Sequence, residues 1–210
     1  MYNFDNSDDI PEFGEEVRDA IDNGDVVGLR KALDKGAHIN MKFGRYKATP
    51  IHFASKKQSL EIVEELVKRG ADINGTDGIN DRPLHEAVRF GSQSILTFLL
   101  KKNADPDVQN DYEDTPLLYC FDTTKFRING WTKKAQVLLK HGARKEVENM
   151  HSKKAVQHLQ TFLQVVRNGK NIEKEIRNSE ELAEAYHLYD VLTEVNDWYI
   201  KPTIPDNLDR

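Results

Sequence analysis

The stretch Thr49-Pro50-Ile51-His52-Phe53-Ala54 recurs at steps of 33 residues, as Arg82-Pro83-Leu84-His85-Glu86-Ala87 and Thr115-Pro116-Leu117-Leu118-Tyr119-Cys120. A second marker recurs at a similar period, as Gly36-Ala37-His38-Ile39-Asn40, Gly70-Ala71-Asp72-Ile73-Asn74, Asn103-Ala104-Asp105-Pro106-Asp107 and, more weakly, Gly142-Ala143. Self-similarity at a fixed period of this size indicates a stack of repeated structural units. The sequence therefore predicts a repeat array.

The residues between the two markers predict a pair of short antiparallel helices. Thr49 can cap the first helix, and Pro50 suits the first helical position, where its missing N–H costs nothing. The second helix carries an apolar stripe that includes Leu66. Gly70 then permits the left-handed residue that closes a helix, and Asn103, which replaces it in the next unit, is the second-best residue for that conformation.

These motifs resemble the ankyrin repeat, which opens its first helix with T-P-L-H-x-A and leads into a β-turn through a G-A-D-V-N-like end. The resemblance covers about residues 15 to 167. It implies an all-α solenoid of about five helix-turn-helix units with β-turn tips, in which the two end units act as caps. We expect three segments: an acidic N-terminal tail at 1–14, the repeat array at 15–170 and a C-terminal helical extension at 171–210.

The fourth unit departs from the repeat by an insertion. Thr115 to Gly142 spans 27 residues where Thr49 to Gly70 spans 21, so six residues are added between the two helices of this unit. Phe126, Ile128 and Trp131 are large apolar residues in this segment, which should lie at the surface. Either they contact a partner or they fold back over the fourth repeat.

The C-terminal extension matches no ankyrin unit. Asn178 can cap a helix that carries Leu182, Tyr186, Tyr189, Leu192 and Tyr199 and ends before Pro202. This helix either packs on the last repeat and shields it or forms a separate binding helix.

Histidine and cysteine residues do not indicate a catalytic or metal site. His52 and His85 occupy the same place in the repeated motif, and the resemblance implies that this histidine is a structural hydrogen-bonding residue. The other histidines form no H-E-x-x-H pair and have no cysteine at zinc-ligand spacing. Cys120 takes the place of the small alanine, where a thiol behaves as a small buried hydrophobe. Phosphate-cradling motifs are absent as well, so we expect no enzyme activity, no metal and no cofactor.

The overall charge disfavours nucleic acid as a partner. Lys and Arg total 30 against 35 Asp and Glu, which gives a net charge of −5 and no general attraction to a polyphosphate. Four lysine pairs could line an anionic contact, although lysines near helix ends also complement the helix dipole. No signal-peptide or membrane-spanning pattern appears, and a single cysteine suits a reducing compartment. We expect a protein of the cytoplasm or, alternatively, the nucleus, without membrane contact.

The resemblance also implies where a protein partner binds, because ankyrin proteins contact partners through the β-turn tips and the exposed side of the first helix. At the turn tips the matching residues are Arg45, Tyr46, Ile79, Asp81, Tyr112 and Asp114. On the first helices they are Lys56, Lys57, Arg89 and Phe90. Tyr46 and Tyr112 are the strongest candidates, since exposed aromatic residues often anchor interfaces, although each could instead pack on the adjacent turn. Phe126 and Trp131 form the second candidate contact.

Three functions remain open at this point. The leading hypothesis is a non-enzymatic adaptor or inhibitor that masks a surface of a protein partner, as a monomer or in a hetero-complex. The second is a bridging scaffold or regulatory subunit whose C-terminal helix binds another component. The third is a small enzyme with a site between the insertion and the C-terminal extension, a hypothesis that requires a deep cleft with clustered titratable groups.

Overall fold

The computed structural model describes residues 12–90, 92–121, 130–151, 153–167 and 179–193. The described residues form ten α-helices: α1 (Gly14–Asn23), α2 (Val26–Asp34), α3 (Pro50–Lys57), α4 (Leu60–Lys68), α5 (Pro83–Phe90), α6 (Gln93–Lys101), α7 (Pro116–Phe121), α8 (Trp131–Lys140), α9 (Ala155–Arg167) and α10 (Ser179–Thr193). Between successive pairs lie four turns, at 43–48, 77–81, 110–114 and 149–151, which are called the first to fourth turns below.

The helices stack in two rows. The odd-numbered helices α1 to α9 each pack on the next odd-numbered helix and form an inner row, and the even-numbered helices α2 to α10 form an outer row. Each odd-numbered helix also packs on the even-numbered helix that follows it. The predicted all-α solenoid of helix pairs is therefore confirmed.

Helix α3 shows why each pair begins and ends where it does. Pro50 is the first helical residue, and the backbone N–H of Thr49 donates to Nδ1 of His52, so that the side chain of His52 satisfies a group the helix leaves open. At the far end of each of the first four pairs the chain turns through a left-handed residue, such as Gly70 with φ 90° and Asn103 with φ 65°. Asn103 thus adopts the conformation that the repeat pattern predicts for it.

Small apolar residues let the inner helices approach one another closely. Ala54, Ala87 and Cys120 occupy the same place in three successive units, and none has more than a trace of exposed surface. The buried Cys120 side chain acts as the small hydrophobe predicted from the repeat. Burial also raises the pKa of its thiol to about 12, which keeps the group protonated.

The outer row carries its own polar link between units. Glu65 in α4 accepts hydrogen bonds from Arg30 at 2.8 Å and from Arg69 at 2.7 Å, and Arg69 also contacts Asp34 at 2.6 Å. The two guanidinium groups hold the pKa of Glu65 well below its ordinary value. The contacts therefore tie α2 to α4 on the face opposite the inner helices.

The insertion lies between α7 and α8, as predicted. Two residues separate α3 from α4, whereas residues 122–130 separate α7 from α8. Trp131 begins α8, is only 6% exposed and packs edge-on against Phe121 with ring centroids 5.8 Å apart. The expectation that Trp131 is exposed for partner contact is therefore wrong, because its ring covers the fourth unit. Phe126 and Ile128 lie outside the described residues.

Helix α10 occupies the place of a second helix in the fifth unit. It packs on α9 and on α8, as α8 packs on α7 and on α6. Ala185, Leu188 and Leu192 are buried, and Glu184 accepts a hydrogen bond from the Thr132 hydroxyl of α8. The boundary predicted at 170 thus falls between two helices that pack together. The predicted continuation of this helix to Tyr199 lies outside the described residues.

Candidate functional site

The four turns are joined edge to edge by backbone hydrogen bonds. Gly78 donates to the carbonyl oxygen of Tyr46 at 2.6 Å, Asp111 donates to that of Ile79 at 3.0 Å, and Met150 donates to that of Tyr112 at 3.2 Å. Tyr46, Ile79 and Tyr112 consequently hold equivalent positions on successive turns. We call the surface formed by residues 43–48, 77–81, 110–114 and 149–151 the turn ridge.

Side chains on the turn ridge differ in exposure. Tyr112 is 47% exposed and Met150 on the neighbouring turn is 54% exposed, so the third and fourth turns present two large apolar groups to solvent. Arg45 is exposed and its guanidinium lies 5.1 Å from the ring centroid of Tyr46. Tyr46 and Ile79 are half-buried. The sequence pattern did not single out Met150, because no repeat motif marks its position.

Asp81 and Asp114 are not exposed, although the repeat pattern places them at turn tips. Asp81 is fully buried and Asp114 is 8% exposed. The Asp114 carboxylate accepts a hydrogen bond from Nδ2 of Asn149 at 2.8 Å. Each aspartate therefore bonds inward to its neighbours in the stack, and the expectation that these two side chains face a partner is wrong.

The recurring histidines connect each inner helix to the next turn. Nε2 of His52 lies 3.0 Å from the carbonyl oxygen of Asp81, and Nε2 of His85 lies 3.0 Å from that of Asp114. Because Nδ1 of each ring accepts a backbone N–H, Nε2 carries the proton and donates it. Burial lowers the pKa of His52 to about 4, so the ring is neutral at pH 7. The structural role implied by the repeat agrees with this geometry.

A buried polar network lies between the second and third turns. Asp81 accepts hydrogen bonds from the Tyr119 hydroxyl at 2.9 Å, from Nδ2 of Asn110 at 2.8 Å and from Arg89 at 2.8 Å. Arg89 also donates to Oε1 of Glu86 at 3.2 Å. Burial raises the pKa of Glu86 to about 7 and affects that pKa more than any neighbouring charge does. The network leaves Arg89 only partly accessible to a partner.

The predicted helix residues fall at the edge of this network. The ammonium of Lys56 lies 4.9 Å from the ring centroid of Phe90, and both side chains are half-buried. Lys57 is exposed and forms an ion pair with Asp22 at 2.9 Å. These residues lie on two neighbouring inner helices, α3 and α5, so the structure brings Lys56 and Phe90 together.

Exposed positive and negative charges lie on different parts of the turn ridge, if Lys42, directly before the ridge, is included. Lys42, Arg45 and Lys47 are exposed around the first turn, whereas Asp111 and Glu113 are exposed on the third. The second turn, between them, exposes Gly78 and Asn80. The ridge therefore runs from a basic end to an acidic middle, a polarity that can orient a partner.

Lys134, a member of one of the lysine pairs, is not a surface residue. Its side chain is 2% exposed, and its ammonium donates a hydrogen bond of 3.0 Å to the carbonyl oxygen of Val88 near the end of α5. Burial lowers the pKa of Lys134. The possibility that this lysine contacts an anionic partner is excluded, because the side chain joins α8 to α5 inside the stack.

Comparison with known proteins now decides the family of the repeated units. Residues 18–110 match the sequence family described as ankyrin repeats, in three copies. These residues are ankyrin repeats. The ankyrin array accounts for the 33-residue period, the histidine bridges and the ladder of turns described above, and it makes this part of the chain a protein-interaction module.

Ankyrin repeats also carry the likeness to individual proteins. Ankyrin repeat domain-containing protein 37 of Homo sapiens is 32% identical over 88 residues, which are 42% of this chain and 56% of that protein. Palmitoyltransferase AKR1 of Kluyveromyces lactis is 39% identical over 100 residues, 45% of this chain and 13% of that protein. BRCA1-associated RING domain protein 1 of Caenorhabditis elegans is 37% identical over 92 residues, 43% of this chain and 13% of that protein.

The chain thus spans about one eighth of the two longer relatives, 13% in each case, and about half of the shorter one, 56%. The likeness therefore concerns the repeats, and the activity of a whole relative does not follow from it. Within the described part of the chain, no helix combines the length and the apolar character needed to cross a bilayer.

Proposed function

We propose that this protein is a non-catalytic adaptor or inhibitor that binds a protein partner on its turn ridge. The observation that carries the proposal is the pair formed by Tyr112 and Met150, which are 47% and 54% exposed on hydrogen-bonded neighbouring turns. Two large exposed apolar groups on hydrogen-bonded neighbouring turns suit an interface better than they suit water. Their backbone is held in place before a partner arrives, which lowers the entropic cost of binding.

The charge pattern narrows the partner. Lys42, Arg45 and Lys47 at the basic end favour an acidic segment of the partner, and Asp111 and Glu113 favour a basic segment two turns away. An apolar side chain of the partner between these segments then meets Tyr112 and Met150. Because the charges at the two places have opposite sign, the partner binds along the ridge in one orientation.

The buried groups support a binding role over a catalytic one. The thiol of Cys120 is buried and protonated, and His52 uses both ring nitrogens in structural hydrogen bonds. A nucleophile needs exposure and a base within reach, and a general base needs a free lone pair facing substrate. These residues therefore act in the fold.

Site-specific photo-crosslinking tests the proposal. A crosslinking amino acid placed at Tyr112 is expected to capture a partner that the same amino acid at Val27, 58% exposed on α2, does not capture. The double variant Tyr112→Ala with Met150→Ala should weaken binding of the captured partner by about 30-fold or more, since the loss of even one anchor residue costs about 2 kcal/mol. Val27→Ala is the matched control, because it also removes an exposed apolar side chain.

Two results would contradict this assignment. Equal capture from positions 112 and 27 would mean that the turn ridge is not the binding surface. Unchanged affinity in the double variant, with affinity lost in Val27→Ala, would move the interface to the outer row of helices. Charge reversal at Arg45 should reduce the association rate and its salt dependence if the proposed orientation holds.

A further inference from the structure

Three carboxylates converge where the second turn meets α5. Asp77 and Asp81 lie on the turn and Glu86 lies in the first turn of the helix, and one ligand oxygen of each lies within 4.8 Å of the others. Their side chains are 6%, 0% and 3% exposed, respectively. Carboxylates this close together and this far from water repel one another strongly unless positive charge compensates them.

The positive charge in contact with this cluster does not balance the negative charge of its three carboxylates. Arg89 donates to Oδ2 of Asp81 at 2.8 Å and to Oε1 of Glu86 at 3.2 Å, which places one guanidinium against three carboxylates. The positive charge of Lys56 also lowers the pKa of Glu86, but by less than the charge of Arg89 does. Full ionisation would leave two negative charges in excess among these four groups.

One oxygen of the cluster is buried without a hydrogen-bond partner. Oε2 of Glu86 has no surface in contact with solvent and accepts no hydrogen bond within the described structure, while Oε1 is held by Arg89. Asp77 uses only Oδ1 for its two backbone bonds, from the N–H groups of Ile79 and Asp81 at 2.9 Å each. A buried polar atom in this state calls for an explanation, and a bound ion is one that suits an oxygen lying beside two further carboxylates.

We propose that Asp77, Asp81 and Glu86 bind one hard divalent cation, for which Ca²⁺ is the best fit. All three ligands are carboxylate oxygens, which hard cations prefer over the nitrogen and sulfur ligands of zinc. The three oxygens lie within 4.8 Å of one another, close enough to share one ion, and Ca²⁺ accepts an irregular set of oxygen ligands, whereas Mg²⁺ requires a near-ideal octahedron and keeps several waters. The two positive charges of the ion equal the two negative charges that Arg89 leaves uncompensated. This site is independent of whether the turn ridge binds a protein.

Asp77 is the residue that distinguishes this turn from the next two. Asn110 and Asn149 hold the equivalent places, and each accepts two backbone N–H groups through Oδ1 as Asp77 does. Their amide groups donate to Asp81 and Asp114, respectively, each of which lies on the preceding turn. On the turn that precedes Asp77 the equivalent position is occupied by Ala48, which has no carboxylate to accept such a bond. The turn itself therefore needs an oxygen at this place but not a charge.

The variant Asp77→Asn is consequently a mild test of the site. Asparagine keeps both backbone bonds and removes one proposed ligand charge. Glu86→Gln keeps the oxygen that contacts Arg89 and removes the charge of the unpartnered oxygen. Glu113→Gln, at an exposed carboxylate on the third turn, is the matched control, because it removes the same charge from the same face.

Thermal unfolding of the full chain with and without Ca²⁺ tests the proposal. With three protein ligands we expect a Kd of about 1 mM or below, so about 10 mM Ca²⁺ should raise the wild-type Tm by about 3 °C. The shift should persist in Glu113→Gln and should fall below about 1 °C in Asp77→Asn and in Glu86→Gln. Because protons on Glu86 compete with the ion, the shift should be larger at pH 8 than at pH 6.

Terbium luminescence provides a second readout that does not depend on stability. Tb³⁺ replaces Ca²⁺ at carboxylate sites, and the Tyr119 ring, whose hydroxyl bonds to Asp81, can transfer excitation to an ion held there. Sensitised emission that Ca²⁺ displaces, and that Asp77→Asn abolishes, supports the site. The proposal is overturned if Ca²⁺ leaves both the wild-type Tm and the emission unchanged, or if both respond equally in wild type, Asp77→Asn and Glu86→Gln.

Discussion

The hydroxyl of Tyr119 in α7 donates a hydrogen bond of 2.9 Å to the carboxylate of Asp81, which lies 38 positions earlier on the second turn. The same hydroxyl oxygen accepts from Arg89 at 2.6 Å and from Nδ2 of Asn110 at 2.7 Å. One phenol thus joins an inner helix of the fourth unit to the third unit and to the turn between them. In a stack where each unit contacts only its neighbours, such a link contributes directly to the interface between two units.

Tyr119→Phe is expected to lower the free energy of unfolding by about 2 kcal/mol. The ring stays in place, but the charged carboxylate of Asp81 loses one of its donors and Arg89 loses an acceptor inside the stack. Equilibrium unfolding in urea, followed by circular dichroism, measures the change.

Tyr112→Phe is the matched control for this prediction. It removes the same hydroxyl from a side chain that is 47% exposed, so its effect should stay within about 0.5 kcal/mol. Equal losses in the two variants would show that the Tyr119 hydroxyl contributes no more to stability than the hydroxyl of an exposed tyrosine.

The repeat was predictable because its motifs are local. Pro50, Gly70 and Asn103 each act within a few residues of their own position, through a fixed φ or a left-handed conformation, and the structure places them as the spacing predicted. The 33-residue step then forces equivalent residues into register along the stack. Fold class and helix pairing follow from these facts alone.

The interior of the candidate site was less predictable. A sequence position at a turn tip does not reveal which way its side chain points, and Asp81 turned inward because Tyr119, Asn110 and Arg89 offer it donors. Those partners lie 8 to 38 positions away, so no local pattern identifies them. The one sequence signal for this network was the residue before the small Ala or Cys of the repeated motif, which changes from Phe53 to Glu86 to Tyr119.

The assignment of the C-terminal helix to the repeat array could not be predicted, for a different reason. Helix α10 carries none of the ankyrin motifs, which mark the start of a unit's first helix and the turn after its second helix. Its buried residues Ala185, Leu188 and Leu192 recur at steps of three and four, which is the spacing of any amphipathic helix. Pattern alone could not decide between packing on the last repeat and binding a separate partner.

Leu188→Ala tests whether α10 belongs to the stack in solution. Leu188 is fully buried where α10 packs on α8 and α9, so truncation of its side chain should lower the free energy of unfolding by about 3 kcal/mol. Urea unfolding followed by circular dichroism measures this loss. A helix that stood apart from the array would melt without changing the stability of the repeats.

Val191→Ala is the control, since Val191 lies in the same helix and is 46% exposed. Its effect should stay within about 0.5 kcal/mol. If Leu188→Ala and Val191→Ala were equally mild, α10 would not be a structural part of the fifth unit.

Two buried groups make the pH dependence of stability a test of the buried polar network around Asp81. Burial lowers the pKa of His52 to about 4, so the folded state binds that proton less tightly than the unfolded state, and stability is lost as pH falls from about 6.5 to 4. Burial raises the pKa of Glu86 to about 7 from 4.5, so the folded state binds that proton more tightly, and stability is lost as pH rises from 4.5 to about 7. The two effects oppose each other over the same pH window.

Glu86→Gln should therefore unmask the histidine effect. In the presence of a chelator, the free energy of unfolding of Glu86→Gln should rise more steeply between pH 4.5 and 7 than that of wild type, by as much as about 3 kcal/mol across the window. At pH 7 and above the variant should be the more stable protein, because it no longer buries a carboxylate with one oxygen that accepts no hydrogen bond. Urea unfolding at pH 4.5, 5.5 and 7 measures the slopes.

Glu113→Gln serves as the control, because Glu113 is exposed on the third turn and lies outside the network. Its stability curve should run parallel to that of wild type. If the Glu86→Gln curve were also parallel, the folded and unfolded states would bind the Glu86 proton equally well. Burial of this carboxylate beside Asp81 and Arg89 would then carry no net electrostatic cost, and the excess negative charge inferred for the cluster would be absent.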